Sequence, residues 1–223
     1  MAYVKFPEWL KEKNDDKEST DWDIGDQHAI EHSFLDYAST YWAIHLRQAG
    51  DIVDEAIQHV SLELCNIRSK SFYPWFGVHW ERMHRYEAYP NMSGLTVASY
   101  FGLEFVVLQQ LMKNEVDTTY RDDSGRTPLW WAAQYGREAV VKLLLGTGKV
   151  DVDSKSKYGQ TPLSWAAENG RKEVVKLLLG TGKVDVDSKS KYGQAPLSWA
   201  AQNGHEAVVK FLQFSTARQL VTK

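Results

Sequence analysis

The block Gly125-Arg-Thr-Pro-Leu129 returns as Gly159-Gln-Thr-Pro-Leu163 and again as Gly193-Gln-Ala-Pro-Leu197, at a spacing of 34 residues. Laid over 159–192, residues 125–158 differ at six positions: Arg126, Trp130, Gln134, Tyr135, Glu138 and Ala139. The third copy keeps the match to about Leu212. A weaker fourth copy precedes them, with Leu95, Ala98, Gly102, Val106-Val107, Leu111 and Asp117 standing 34 residues before Leu129, Ala132, Gly136, Val140-Val141, Leu145 and Asp151. A chain built this way cannot gather around one central core. Each short unit must cover its apolar face with its neighbours, which makes a solenoid.

The residues within one copy have mechanical roles. Thr127 and Thr161 stand where a helix N-cap accepts from the free N–H groups of the first turn. Pro128 and Pro162 follow, where a missing N–H costs no hydrogen bond. Leu129 points into the stack, and Ala132-Ala133 let two helices approach closely. Gly136 can end the first helix in the left-handed conformation. Val140-Val141 and Leu144-Leu145 then form the buried stripe of a second helix. The stretch Asp151-Val-Asp153-Ser reads as an extended hairpin arm with a turn at its tip.

A period of 34 also suits tetratricopeptide units, whose helices run over a dozen residues. Gly136 and the Gly146–Gly148 pair interrupt this chain too soon for that. The pattern Thr-Pro-Leu-x-x-Ala-Ala-x-x-Gly-x-x-x-Val-Val-x-Leu-Leu-Leu instead resembles the ankyrin repeat, over about 92–212. The resemblance implies an all-α solenoid of helix-turn-helix units with hairpin arms, working as a non-catalytic protein-binding module. Three departures stand out. The family's His after Thr-Pro-Leu is Trp130, Ser164 or Ser198, and its next Leu is Trp131, Trp165 or Trp199. Its Val-Asn-Ala arm reads Val152-Asp153-Ser154. The last arm is missing, so Phe211–Val221 is expected to cap the final face.

Residues 1–90 follow another pattern. A helix is expected from Ser33 to Gly50, with Phe34, Tyr37, Tyr41 and His45 on one face and Leu35, Ala38, Trp42 and Leu46 on an adjoining one. A second helix is expected from Asp51 to about Ile67. A third, starting at Pro74, would carry Trp75, His79, Met83 and Tyr86. The run Phe34-Leu-Asp-Tyr-Ala38 with Tyr41-Trp42, ahead of such repeats, resembles the helical region after the motor of fungal NACHT–ankyrin (NLR-like, STAND) proteins. That resemblance implies a regulatory or sensor role. The expected organisation is an acidic, partly disordered leader over 1–32, a helical module over 33–90, repeats over 91–214 and a tail or cap over 215–223. The repeats divide into a degenerate copy over 91–124, full copies over 125–158 and 159–192, and a partial copy over 193–214.

Charge divides unevenly: residues 1–90 carry nine Lys+Arg against sixteen Asp+Glu, and 91–223 carry seventeen against thirteen. Neither half clusters enough cations for a nucleic-acid face. One cysteine, Cys65, excludes a disulfide framework, and it reads as a core residue. No apolar run suits a membrane span. The expectation is a monomer in the cytoplasm or nucleus, with protein partners and no cofactor, nucleic acid or membrane.

Several fragments imitate chemistry. Gly146-Thr-Gly148-Lys149 lacks the upstream Gly and the trailing hydroxyl of a phosphate loop. Asp151-x-Asp153 lacks the turn Gly and the final Glu of a calcium loop. The sharpest rival is His28-Ala-Ile-Glu31-His32, an inverted zincin pattern that would make a zinc hydrolase of the chain. It lacks a third ligand, since Glu104 lies inside a repeat.

The copies themselves point to a binding strip. The arms Gly146–Tyr158 and Gly180–Tyr192 are identical, whereas differences gather at Trp130/Ser164/Ser198, Gln134/Glu168/Gln202, Tyr135/Asn169/Asn203 and Arg137/Arg171/His205. In an ankyrin stack these positions line the concave groove. Trp130 and Tyr135 read as exposed aromatic anchors, with Lys155 and Lys189 on the arms assisting an acidic partner.

Overall fold

The computed structural model describes residues 39–48, 55–70, 72–84, 87–88, 90–113 and 116–221. Among them run eleven helices: α1 over 39–48, α2 Glu55–Leu64, α3 Phe72–Met83, α4 Gly94–Phe101, α5 Glu104–Leu111, α6 Pro128–Gln134, α7 Glu138–Gly146, α8 Pro162–Glu168, α9 Lys172–Gly180, α10 Pro196–Gln202 and α11 Glu206–Val221. They pair as four units: α4/α5, α6/α7, α8/α9 and α10/α11. The short first helices α4, α6, α8 and α10 pack side by side, and α5, α7, α9 and α11 form a second layer behind them. The degenerate first copy therefore folds like the others.

Capping chemistry sets the inner helices. The Thr127 side chain accepts from Trp130 N–H, and Thr161 and Ser164 cap each other reciprocally. Ser93 caps α4 by accepting from Thr96 N–H, whereas Ala195 gives α10 no side-chain cap. Pro128, Pro162 and Pro196 all stand in the first turn, where no bond is lost. Leu129, Leu163, Ala132, Ala133, Ala166 and Ala167 are fully buried between the layers. So are Val140-Val141, Val174-Val175, Leu144 and Leu178. Leu145 is only half-buried, so the outer stripe is narrower than its four apolar residues suggest.

The arms are turns joined edge to edge. Each tip closes on itself, Ser156 N–H to Gln160 O at 2.9 Å and Ser190 N–H to Gln194 O at 2.9 Å. Neighbouring tips are linked by Lys157 N–H to Ser124 O at 2.8 Å and Lys191 N–H to Tyr158 O at 2.9 Å. At the C-terminal end α11 is 16 residues long, against nine for α7 and α9. Phe214 and Thr216 replace the two glycines of the Gly-Thr-Gly turn, so nothing stops the helix there. Leu212 is buried, Phe211 lies half-buried beneath Lys176 at 4.9 Å, and Phe214 is 73% exposed.

The N-terminal helices dock on α4 through aromatic rings. Trp42 meets Trp75 at 5.1 Å and Phe101 at 5.4 Å, and Phe76 stacks on Phe72 at 4.9 Å. Arg47 donates to the Phe101 carbonyl. Within α1 the core-facing residues are Trp42 and Ala43, while Tyr41 and His45 are exposed; Phe34 and Tyr37 lie outside the described residues. The helix expected from Pro74 begins two residues earlier, at Phe72, because Pro74 sits in the first turn and interrupts no bond. Trp75 and His79 are buried as expected, but Met83 is 53% exposed, and Tyr86 lies outside the described residues.

A stack of this kind is strongest where both neighbours are present. Leu163 is 0% exposed between two flanking units, whereas Leu197 is half-buried. Leu163→Ala should cost about 2–5 kcal/mol in urea denaturation, and Leu197→Ala clearly less.

Candidate partner-binding groove

The variable strip does not present itself as one exposed surface. Trp130 is 2% exposed, so it is not the open anchor its variability suggests. Its ring packs against Trp131 at 5.2 Å and Trp165 at 4.8 Å, with the Arg126 guanidinium 5.3 Å above it. The reason is positional: the residue after Thr-Pro-Leu faces the next repeat, where a Trp fills space that Ser164 and Ser198 leave to others. Tyr135 is half-buried, lying parallel to Trp131 at 6.1 Å and edge-on to Tyr100 at 4.6 Å.

The Tyr135 hydroxyl belongs to a buried relay that sequence reasoning missed. His79 Nδ1 lies 2.9 Å from the Ser39 carbonyl, so it carries the proton. His79 Nε2 then accepts from the Tyr100 hydroxyl at 2.9 Å. His84 Nε2 lies 3.2 Å from Tyr100 Oη and 3.3 Å from Tyr135 Oη. Burial pushes the Tyr135 phenol up to about 12 and raises that of Tyr100 as well. His84 of the N-terminal module thus holds Tyr135, and His79 with His84 holds Tyr100 beside it.

Arg137, Arg171 and His205 also have structural work. Arg137 Nε donates to Tyr100 O at 3.0 Å, Arg171 Nε to Gln134 O at 3.1 Å, and His205 Nε2 to Glu168 O at 2.9 Å. Each side chain lies across the helix-ending glycine of the preceding unit. A Cβ on Gly136 would stand 2.8 Å from Arg171 Cδ, and one on Gly170 would stand 2.6 Å from His205 Nδ1. Burial lowers Arg137 to about 10, with Arg47 and Arg171 adding to the effect. These residues read the neighbouring repeat.

The remaining positions sort by exposure. Ser164 is buried in its capping box, and Ser198 is half-buried. Asn169 and Asn203 donate to the Trp165 and Trp199 carbonyls, each at 3.0 Å. Gln202, Lys155 and Lys189 are exposed. Gln134 and Glu168 are half-buried, and among the described residues Gln134 Oε1 and Glu168 Oε2 have no hydrogen-bond partner. Burial raises the Glu168 carboxyl above its ordinary value. At the arm tips is a cavity of about 460 Å³ whose lining includes Arg126, Trp130, Tyr158, Gln160 and Trp165. Asp122, next in the chain to Asp123 of that lining, was also missed. Its carboxylate accepts from Ser124 N–H, Arg126 N–H, Arg126 Nε and Trp131 Nε1. The sequence signal was there, since Asp122 becomes Ser156 and Ser190 in the later copies.

A family model of ankyrin repeats, three copies long, matches residues 78–155 and 141–222. The chain belongs to the ankyrin-repeat family. Its repeats make it a module of protein–protein interaction. No match to a curated protein is found. The fragments that imitate other chemistry fall in ankyrin connectors: Thr147 Oγ1 donates to Leu144 O at 2.7 Å and accepts from Lys149 N–H at 3.2 Å. Among the described residues no group of three or more His, Cys, Asp or Glu could hold a metal ion. His28, Glu31 and His32 lie outside the described residues. Cys65 is fully buried, and burial raises its thiol far above the ordinary range. No described helix is long and apolar enough to cross a membrane.

The relay predicts an acid-sensitive stack. Burial lowers His79 from 6.5 to about 4, so the folded state holds the neutral ring. The stability this confers is present above pH 6.5, where the unfolded chain is neutral too, and is lost as pH falls towards 4. That window should remove on the order of 3 kcal/mol, read from denaturation midpoints, and His79→Gln should flatten the profile.

Proposed function

We propose that the chain is a non-catalytic binding module whose ankyrin groove receives a protein partner across the first helices and arm tips of the second and third repeats. The observation that carries this reading is the pair of buried, unpartnered acceptors, Gln134 Oε1 and Glu168 Oε2, at corresponding positions of successive repeats. Leaving such atoms unsatisfied costs about 1–3 kcal/mol each, which a bound partner would recover. Gln134, Tyr135, Glu168, Asn169, Gln202 and Asn203 form the strip in this reading. Trp130 and Ser164 back it, and Ser198 continues it. Arg137 and Arg171 keep the repeats in register, and Lys155 and Lys189 attract an acidic partner. The run Phe34–Ala38 with Tyr41-Trp42 supports a regulatory or sensor role in an NLR-like signalling protein or a stand-alone relative, acting as a monomer.

With a partner isolated by the full chain, Glu168→Arg should weaken binding by roughly tenfold or more while the free chain still unfolds in one cooperative thermal transition. Unchanged affinity in Glu168→Arg, combined with loss of binding in Tyr41→Ala at an exposed position of α1, would move the site to the N-terminal module.

A further inference from the structure

The arm tip leading into the first full repeat contains a recognition that the next two arm tips lack. Asp122 holds the turn of its arm by accepting from Ser124 N–H and Arg126 N–H, both at 2.9 Å, through Oδ1. Its second oxygen, Oδ2, receives Trp131 Nε1 at 3.2 Å and Arg126 Nε at 2.7 Å. At the corresponding places stand Ser156 with Trp165 and Ser190 with Trp199. The serines preserve the turn. Ser156 Oγ accepts from Tyr158 and Gln160 N–H, both at 3.3 Å, and Ser190 Oγ from Tyr192 N–H at 3.2 Å and Gln194 N–H at 3.3 Å. The backbone closes in the same way too, Asp122 N–H to Arg126 O at 3.0 Å against Ser156 N–H to Gln160 O at 2.9 Å. What differs is the second carboxylate oxygen. Without it, Trp165 Nε1 and Trp199 Nε1 are buried donors with no acceptor among the described residues.

Two further observations agree. Trp165 shares the 460 Å³ cavity with Trp130, a residue 2% exposed whose Nε1 is also unpartnered. The serines are flanked by cations, Lys155-Ser156-Lys157 and Lys189-Ser190-Lys191, all four lysines exposed and none in an ion pair among the described residues. The carboxylates on the cavity rim are engaged already, Glu87 with Arg126 at 3.6 Å and Asp123 with Asn91 N–H at 3.1 Å.

We propose that the units carrying Trp165 and Trp199 each accept a carboxylate from an acidic, extended segment of a protein partner. In each, an Asp or Glu side chain reaches between the arm serine and the indole N–H, where Asp122 reaches Trp131. The inference rests on the groove being the binding face and names what that face reads. An indole–carboxylate bond is charge-assisted, so it discriminates an acid from its amide.

Indole N–H resonances of the full chain report on it directly. The probes are a terminally blocked Glu-Ser-Glu-Ser-Glu-Ser peptide and its Gln-Ser counterpart. The acidic peptide should shift the Trp165 and Trp199 signals, leave Trp131 in place, and bind roughly tenfold or more tightly than the amide peptide. Ser156→Asp supplies the carboxylate from within the chain. It should silence the response of Trp165 while Trp199 still responds. Equal response to both peptides, a Trp165 response that survives Ser156→Asp, or shifts confined to the lysine-bearing arms would each overturn the proposal. If neither peptide moves an indole while an isolated partner still depends on Glu168, the carboxylate reading fails and the groove reading stands. If the acidic peptide moves both indoles while the partner ignores Glu168→Arg, the reverse holds.

Discussion

Every part of this molecule depends on the contact between one repeat and the next. Two helices of seven and nine residues cannot bury their own apolar faces, and alone they are too short to persist in water. Leu129, Leu163 and the alanine pairs disappear from solvent because a neighbour covers them. Register between neighbours is fixed by polar atoms. The arm tips exchange backbone bonds, and Arg137, Arg171 and His205 each reach a carbonyl of the unit before. The helix-ending glycines serve this contact twice. Gly136 takes a φ of 67° that suits glycine, and its bare Cα leaves room for the Arg171 side chain.

A stack must also end. At the N-terminal side the open face of α4 is covered by rings from α1 and α3, centred on Trp42, Trp75, Phe76 and Phe101. Arg47 and the His79–Tyr100–His84 relay tie this module to the first repeats with directional bonds. At the other side α11 lengthens into its own cover, held under Lys172 and Lys176 through Phe211. The two ends differ in kind: one is an aromatic core with a polar relay, the other a long helix with Phe214 exposed.

What the sequence made legible was whatever local chemistry repeats. Thr-Pro at helix starts, Gly at helix ends and Val-Val with Leu as the buried stripe are decided within one turn, and three copies remove ambiguity. The misread positions are those whose role is set by a neighbour. Trp130 looked variable and therefore exposed, yet Trp131, Trp165 and Arg126 enclose it. Arg137 and Arg171 joined the strip because the third copy has His205 at their position, but each lies back over the preceding glycine. Tyr135 is held by His84, some fifty residues away in sequence. The exchange of Asp122 for Ser156 and Ser190 was visible from the start. Its consequence for the indoles needed coordinates.

Amide hydrogen exchange across the native chain tests the dependence on neighbours most directly, since local opening free energies follow the number of packed faces. Protection should be highest in α6 and α8, remain high in α4 under the aromatic cover, and fall through α10 into the last turns of α11. Uniform protection along the chain, or a break between α3 and α4 with the repeats unaffected, would contradict an account in which each unit is stable because of the units beside it.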